Sequence, residues 1–371
     1  MKYYIIAGEA SGDLHGANLM KSLYKEDPKA AIRFWGGDLM QKTGGTLVKH
    51  YKELAFMGFI EVLFNLKTIL NNIKICKTDI LDFKPDVIIF IDYPGFNMRI
   101  AKWAKEIGIK THYYISPQIW AWKENRIKDI KRDVDYMYVI LPFEKDYYEQ
   151  KHQFPVSFVG HPLIDAIQDR NTIAFSTFIK DNQLSEKPII AILPGSRKQE
   201  ITKMLSVMLS VTSYFPDYQF VIAGAPSQDF SLYEPFLKNQ NVHFIPNKTY
   251  DLLSHSYAAL VTSGTATLET ALFKVPEVVC YKGNWISYQI AKRIITLKYI
   301  SLVNLIMDQQ VVTELIQDDC NTQKIKQELE KIVNPINRKG LLDHYAQLEN
   351  KLGGAGASEK TAKLIFATLS Q

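Results

Sequence analysis

Cysteine is scarce in this chain: three residues in 371, Cys76, Cys280 and Cys320, far apart and without metal-ligand spacing. That excludes a disulfide framework, argues against a zinc site and fits a reducing compartment. Long apolar runs are missing too, and none reaches the roughly 18 residues of a membrane-spanning helix. At the N-terminus, Met1-Lys2-Tyr3-Tyr4-Ile5-Ile6-Ala7 passes straight into a short strand and a glycine. A secretory signal needs a longer apolar region and a small-residue cleavage site, so the mature protein is expected to begin here. Charge of one sign is nearly balanced, 44 Lys and Arg against 39 Asp and Glu. The excess permits attraction to phosphates or an anionic surface but indicates no nucleic-acid partner. Short-period repeats and low-complexity segments are absent.

What is present is ordinary globular composition, 47% hydrophobic and 22% charged, over a length that exceeds one core. Strand-like apolar runs alternate with helix-period segments, which argues for parallel sheets flanked by helices. Strands are predicted at Tyr3–Ala7, Ile32–Trp35, Val87–Ile91, Lys110–Tyr114 and Tyr136–Leu141. After a break at Phe158-Val159-Gly160-His161-Pro162 they resume at Ile189–Leu193, Gln219–Ala223, Val242–Ile245, Ala258–Thr262 and Val278–Tyr281. The reading is an α/β chain of two doubly wound, Rossmann-like domains, residues 1–160 and 161–345, facing a cleft. A helical segment, 346–371, follows, expected to pack on the N-terminal domain or to be exchanged in a dimer. Ligands of such sheets bind beyond the carboxyl ends of the strands, and the most informative motifs all lie there.

Two of them describe a nucleotide-diphosphate site. Leu193-Pro194-Gly195-Ser196-Arg197 and Ser263-Gly264-Thr265-Ala266-Thr267-Leu268-Glu269 each follow an apolar strand and open a helix. Small residues at such a turn let backbone N–H groups approach an anion, and the helix start adds partial positive charge. Arg197 brings a guanidinium able to pair with two phosphate oxygens. Glu269 brings a carboxylate suited to a ribose diol.

In the first half, Gly8-Glu9-Ala10-Ser11-Gly12-Asp13 follows the first strand. It lacks the third glycine of a dinucleotide fingerprint, and its carboxylates make a poor phosphate cradle. A plain turn, or contact with a hydroxyl-rich acceptor, are the two readings. Asp92, after the strand Val87–Ile91, is either a general base at a cleft or a loop-bracing cap. An ordinary carboxylate pKa near ~3.9 would leave it ionised at neutral pH. Trp120 and Trp122 adjoin a segment bearing Lys123, Arg126, Lys128, Lys131 and Arg132. They could fill a core beside a solvated face or grip a sugar phosphate. The stretch 55–66, with Phe56, Met57, Phe59, Ile60 and Leu63, suits a core helix, an interfacial helix or the wall of an acyl-chain groove. His161, at the domain junction, is either structural or a cleft contact.

Eight motifs in register carry a resemblance: Ala7–Asp13, Met57–Leu63, Ile91–Asn97, Ser116–Trp122, Leu141–Glu144, Phe158–Pro162, Leu193–Arg197 and Ser263–Glu269. Tyr299–Leu305 also fits. Together they resemble the lipid-A-disaccharide synthases, inverting glycosyltransferases of the GT-B class, from residue 7 to Leu315. Gly95 departs from the pattern, since relatives often carry an acidic residue there. The resemblance implies transfer of a 2,3-diacylglucosamine unit from UDP to the 6-hydroxyl of 2,3-diacylglucosamine 1-phosphate, without a metal or cofactor. It implies work at the cytoplasmic face of the inner membrane as a peripheral protein, and a homodimer with exchanged C-terminal segments. Asp92 would be the base and Arg197 the leaving-group cation. Substrate contacts would come from Gly8, Glu9, Ser11, Asp13, Asn97, Ser116, Trp120, Trp122, His161, Gly195, Ser196, Ser263, Gly264, Thr265, Ala266, Glu269 and Asn304. Phe56, Met57, Phe59, Ile60 and Leu63 would meet acyl chains or membrane. The rival readings are an epimerase of UDP-N-acetylglucosamine and a non-catalytic nucleotide or lipid carrier.

Overall fold

A computed structural model describes residues 1–54, 66–170, 172–226, 228–237, 242–283 and 298–370. The apolar stretch at 55–65 lies outside the described residues, and with it Phe56, Met57, Phe59, Ile60 and Leu63. Contacts divide the chain into two units, Met1–Asp169 with Leu352–Gln371, and Arg170–Lys351. Each is an α/β unit built on one parallel sheet.

The first sheet uses β1 (Lys2–Ala7), β2 (Ala31–Gly36), β3 (Thr46–His50), β4 (Val87–Ile91), β5 (Lys110–Tyr114), β6 (Tyr136–Val139) and β7 (Ser157–Phe158), in the order β3-β2-β1-β4-β5-β6-β7. All its pairings are parallel. β4 is apolar throughout and buried at every position, as a strand covered on both faces must be. Its core is aromatic. The buried Trp35 indole donates to the Tyr4 hydroxyl at 2.9 Å, which donates in turn to Asp79 at 2.8 Å. The buried polar ends of these rings are thereby satisfied.

The second sheet uses β8 (Ile189–Leu193), β9 (Gln219–Gly224), β10 (Val242–Pro246), β11 (Ser256–Thr262), β12 (Glu277–Tyr281) and β13 (Thr313–Ile316), in the order β10-β9-β8-β11-β12-β13, again all parallel. β3 and β13 escaped the sequence reading. Both sit at sheet edges and are only half-buried, so neither needs a continuous apolar run.

The unit boundaries differ from the sequence expectation of 160 and 346. The helix Pro162–Gln168 stays with the first unit because it packs on the first helix, Ala10–Glu26. Its Asp165 also accepts from the backbone N–H groups of Gly356 (2.6 Å) and Ser358 (2.9 Å). That carboxylate secures the start of the last helix, Ala357–Leu369, which lies along Ala10–Glu26. The preceding helix, Pro335–Lys351, belongs to the second unit. Tyr345 and Leu348 are buried there, and Glu349 pairs with Lys274 at 2.5 Å.

Candidate active site

In each sheet the chain winds outward in two directions from a central pair of strands, and that switch point opens a crevice at the carboxyl ends. In the first unit the pair is β1 and β4. In the second it is β8 and β11. Register places Ala7 opposite Ile91 and Leu193 opposite Val261. The Gly8 loop and Asp92 therefore leave one crevice side by side, and the Gly195 and Gly264 loops leave the other. Four motifs found separately in the sequence pair up, two per sheet.

At the first crevice Asp92 and Tyr93 both lie in the left-handed region, with φ of 46° and 48°. Neither is glycine, so strain is stored at this turn. Three hydrogen bonds hold the Asp92 backbone. Its carbonyl accepts from the Tyr113 hydroxyl (2.6 Å) and the Asn97 amide (2.7 Å), and its N–H donates to Tyr114 (3.1 Å). Asn97, expected as a substrate contact, is fully buried and spends its amide on this backbone. Gly8 is required by Tyr93: a Cβ there would stand 2.3 Å from the tyrosine ring. Burial first, then the charge of Glu9, push the Asp92 pKa up to about 6, with an opposing pull from the Tyr93 N–H and a lesser push from Glu144. The expected ordinary carboxylate is thus replaced by one poised near neutrality, which suits a general base. Glu9 and Ser11 are exposed beside it.

Asp13 does not join them. It is buried, and its oxygens accept from the N–H groups of Gly37 (2.7 Å), Leu39 (3.0 Å) and Met40 (3.0 Å). Its lone pairs go to the start of the helix Asp38–Thr43, a structural use. His161 is corrected in the same way: its Nδ1 accepts from Leu163 N–H at 3.2 Å, and burial lowers its pKa to about 3, leaving a neutral helix cap.

Glu144, in the sequence only the end of the Leu141–Glu144 motif with no site role assigned, belongs to this rim. It is almost fully buried and takes four donors: Ser116 Oγ (2.7 Å), Trp120 Nε1 (3.1 Å), Ile140 N (3.1 Å) and Leu141 N (2.9 Å). Burial raises its pKa while these donors pull it down. Ser116 and Trp120 are thereby fastened to the rim, whereas Trp122 is 51% exposed with the Lys123 ammonium 4.0 Å over its ring. The signal was available in Leu141-Pro142-Phe143-Glu144, since a Glu three residues into a turn often reaches back to backbone N–H groups.

The second crevice is built from donors. Gly195 has φ of 107°, and the amides of Ser196 and Arg197 both point at one carboxylate oxygen of Glu200, each at 3.3 Å. The Arg197 guanidinium holds the other at 3.1 Å and is 68% exposed, free to turn onto a ligand. A Cβ on Gly195 would lie 2.6 Å from Glu200, so the glycine admits this close approach. An anionic group therefore already fits the cradle at the start of the helix Lys198–Leu209. Across the switch point, Gly264, with φ of 154°, starts the helix Thr265–Leu272. The Gly264 and Thr265 positions are exposed and Ala266 is half-buried. Ser263 donates to Ile300 (2.9 Å), and Glu269 accepts from Tyr250 (3.0 Å), its pKa raised by burial. Asn304 is not part of this rim. Fully buried, it bonds Val311 N–H, Val312 N–H and C=O, and Glu314, all within 2.9 Å, and so shapes its own loop.

Two doubly wound parallel-sheet units, each with a crevice at its switch point, define the GT-B class of fold. Solved structures agree on the fold. A UDP-GlcNAc 2-epimerase from Neisseria meningitidis, bound to UDP-GlcNAc, is similar with a TM-score of 0.68 at 16% identity, covering 100% of both chains. A calicheamicin glycosyltransferase gives 0.62 at 14% identity, covering 100% of this chain and 98% of its own. At the sequence level the chain matches the lipid-A-disaccharide synthetase family over residues 3–363 and belongs to it. Lipid-A-disaccharide synthases from Syntrophus aciditrophicus (strain SB) and Coxiella burnetii (strain CbuG_Q212) are 40% and 38% identical. The first match covers 99% of this chain and 97% of the relative; the second covers 97% and 96%. The family is one of glycosyltransferases in lipid A biosynthesis.

Proposed function

We propose that this protein transfers 2,3-diacylglucosamine from UDP to the 6-hydroxyl of 2,3-diacylglucosamine 1-phosphate, inverting the anomeric centre. The products are a β-1,6-linked tetraacyl disaccharide 1-phosphate and UDP. The observation that carries this reading is Asp92: a strained, buried-strand-end carboxylate with its pKa near 6, in a chain that belongs to this family. Asp92 removes the proton of the acceptor hydroxyl as its oxygen attacks the anomeric carbon. The bond to UDP breaks, and the departing pyrophosphate gathers negative charge. Arg197 and the Ser196 and Arg197 amides take up that charge, in place of the Glu200 carboxylate they now hold. Glu269 accepts from the ribose hydroxyls. In this reading the leaving group needs no metal.

The same reading assigns peripheral work at the cytoplasmic face of the inner membrane. Among the described residues no helix is long and apolar enough to cross a membrane. The helix Leu66–Phe83 exposes Leu70 (60%) and Leu81 (52%) beside Lys67 and Lys74, a pattern that favours an anionic lipid surface. A dimer exchanging residues 352–371 would keep the Asp165 contacts, made to the second copy instead.

Mass spectrometry of products from UDP-diacylglucosamine and diacylglucosamine 1-phosphate tests the reaction. The tetraacyl disaccharide phosphate is expected. Its absence, with a manno epimer formed from UDP-N-acetylglucosamine, would replace the proposal by the epimerase activity of the structural neighbours.

A further inference from the structure

Beyond Asp92, the rim of the first unit carries a second strained turn. Ile115, the residue after β5, has φ of 64°, a genuine outlier for a β-branched side chain. Its N–H donates to Tyr138 at 3.1 Å. Because β5 pairs with β4, with Tyr114 opposite Ile91, this turn leaves the sheet directly beside Asp92. The segment that follows is gripped by Glu144 through Ser116 and Trp120 and runs on to Arg126. Strain held by a buried, fully bonded carboxylate marks a segment whose position matters.

Among the described arginines most have an ion-pair or carbonyl partner, Arg338 through the Tyr257 carbonyl, and Arg126 and the exposed Arg99 do not. Arg33 pairs with Asp79 at 2.6 Å, Arg132 with Asp133 at 2.6 Å, Arg170 with Asp251 at 3.6 Å and Arg197 with Glu200 at 3.1 Å. Arg126 is half-buried, yet among the described residues it makes no ion pair and no side-chain hydrogen bond. It lies within electrostatic reach of the Tyr113 hydroxyl, which donates to the Asp92 carbonyl. A half-buried guanidinium on this segment, with no carboxylate bonded to it among the described residues, is matched by an anion that arrives with a ligand. Its planar fork fits the oxygens of a phosphate.

We propose that Arg126 is the cation of an acceptor subsite on the Ser116–Arg126 segment, and that it binds a phosphate monoester carried by the acceptor sugar. This rests on the acceptor reading given above and adds to it the residue that selects phosphorylated over unphosphorylated acceptor. Glu144 is the positioning residue that holds the segment against the rim.

The test measures kcat/KM for diacylglucosamine 1-phosphate and for its dephosphorylated counterpart, with wild type, Arg126→Ala and Arg126→Lys. The phosphorylated-to-dephosphorylated ratio is expected to fall at least about tenfold in Arg126→Ala and to recover in part in Arg126→Lys, with the KM for the UDP-sugar unmoved. An unchanged ratio, or an equal loss on both acceptors, overturns the proposal. Phosphate chemistry is also offered by bilayer headgroups, so sedimentation with phosphatidylglycerol–phosphatidylethanolamine vesicles forms a second arm. Equal vesicle binding by wild type and Arg126→Ala supports the acceptor. Weaker vesicle binding with a preserved ratio assigns the guanidinium to the bilayer and overturns it. Wild type that transfers to neither acceptor sinks the functional reading itself, whereas wild-type transfer with an unaltered ratio in the variant sinks only the subsite.

Discussion

The two crevices share a topology and differ in sign. Both are switch points of a doubly wound parallel sheet, and both receive two loops from the central pair of strands. The first presents carboxylates, Glu9, Asp92 and the buried Glu144, on a backbone strained at residues 92, 93 and 115. The second presents donors, the amides of Ser196 and Arg197 and one exposed guanidinium, with glycines taking the left-handed positions. A sheet of this kind supplies a place; residue choice supplies the charge that decides what the place does. The acid crevice suits proton removal from a hydroxyl, and the donor crevice suits a leaving diphosphate.

The comparison breaks most sharply at Asp92. Asp92→Asn is expected to lower turnover by about 10³-fold with UDP affinity nearly intact, measured by steady-state kinetics and calorimetry. Unchanged turnover would remove Asp92 as the base. In the wild type, kcat/KM should fall as pH drops through about 6, where the carboxylate takes up its proton; a rate flat down to pH 5 would contradict that titration.

Next in size, Arg197→Ala should reduce kcat/KM for the UDP-sugar by about 100-fold and weaken UDP binding. Normal donor kinetics would reject its leaving-group role. Asp13→Ala sharpens the contrast from the structural side. Three backbone N–H groups lose their acceptor, so chemical denaturation should show a loss of about 2–4 kcal/mol, with acceptor KM unmoved in the folded protein. A raised KM at full stability would return Asp13 to the site.

The smallest effect is linked to protonation. The folded pKa of Asp92 is raised, so its ionised form costs stability. The cost accrues as pH rises from about 4 to 6 and is absent below. Asp92→Asn should therefore stabilise the protein by about 1–3 kcal/mol at pH 7–8 and by little at pH 4, as read from denaturation midpoints. A site that gains stability when its base is removed trades stability for function.

Much of this was legible beforehand. Val87–Ile91 and Ile189–Leu193 declare themselves as central strands because burial on both faces demands uninterrupted apolar residues. Glycine followed by small polar residues marked the donor loops. Less visible were the residues whose partners lie far along the chain. Asp13 looked like a loop carboxylate, but its acceptors are filled from residues 37–40. Asn304 and His161 looked like site residues and prove to be loop and cap supports. Glu144 and Arg126 are less legible, because nothing near them in sequence shows that one is saturated with donors and the other has no side-chain acceptor among the described residues.

Sequence alone determined the alternation of elements, the two sheets, the strand ends where chemistry sits and the family to which the chain belongs. These follow from local periodicity, turn residues and motif order, which read along the chain. Tertiary structure decided which polar groups remain available: the raised pKa of Asp92, the spent carboxylate of Asp13 and the guanidinium of Arg126, without an ion pair among the described residues. Desolvation and hydrogen bonding depend on neighbours brought together from distant positions, and folding is what brings them there.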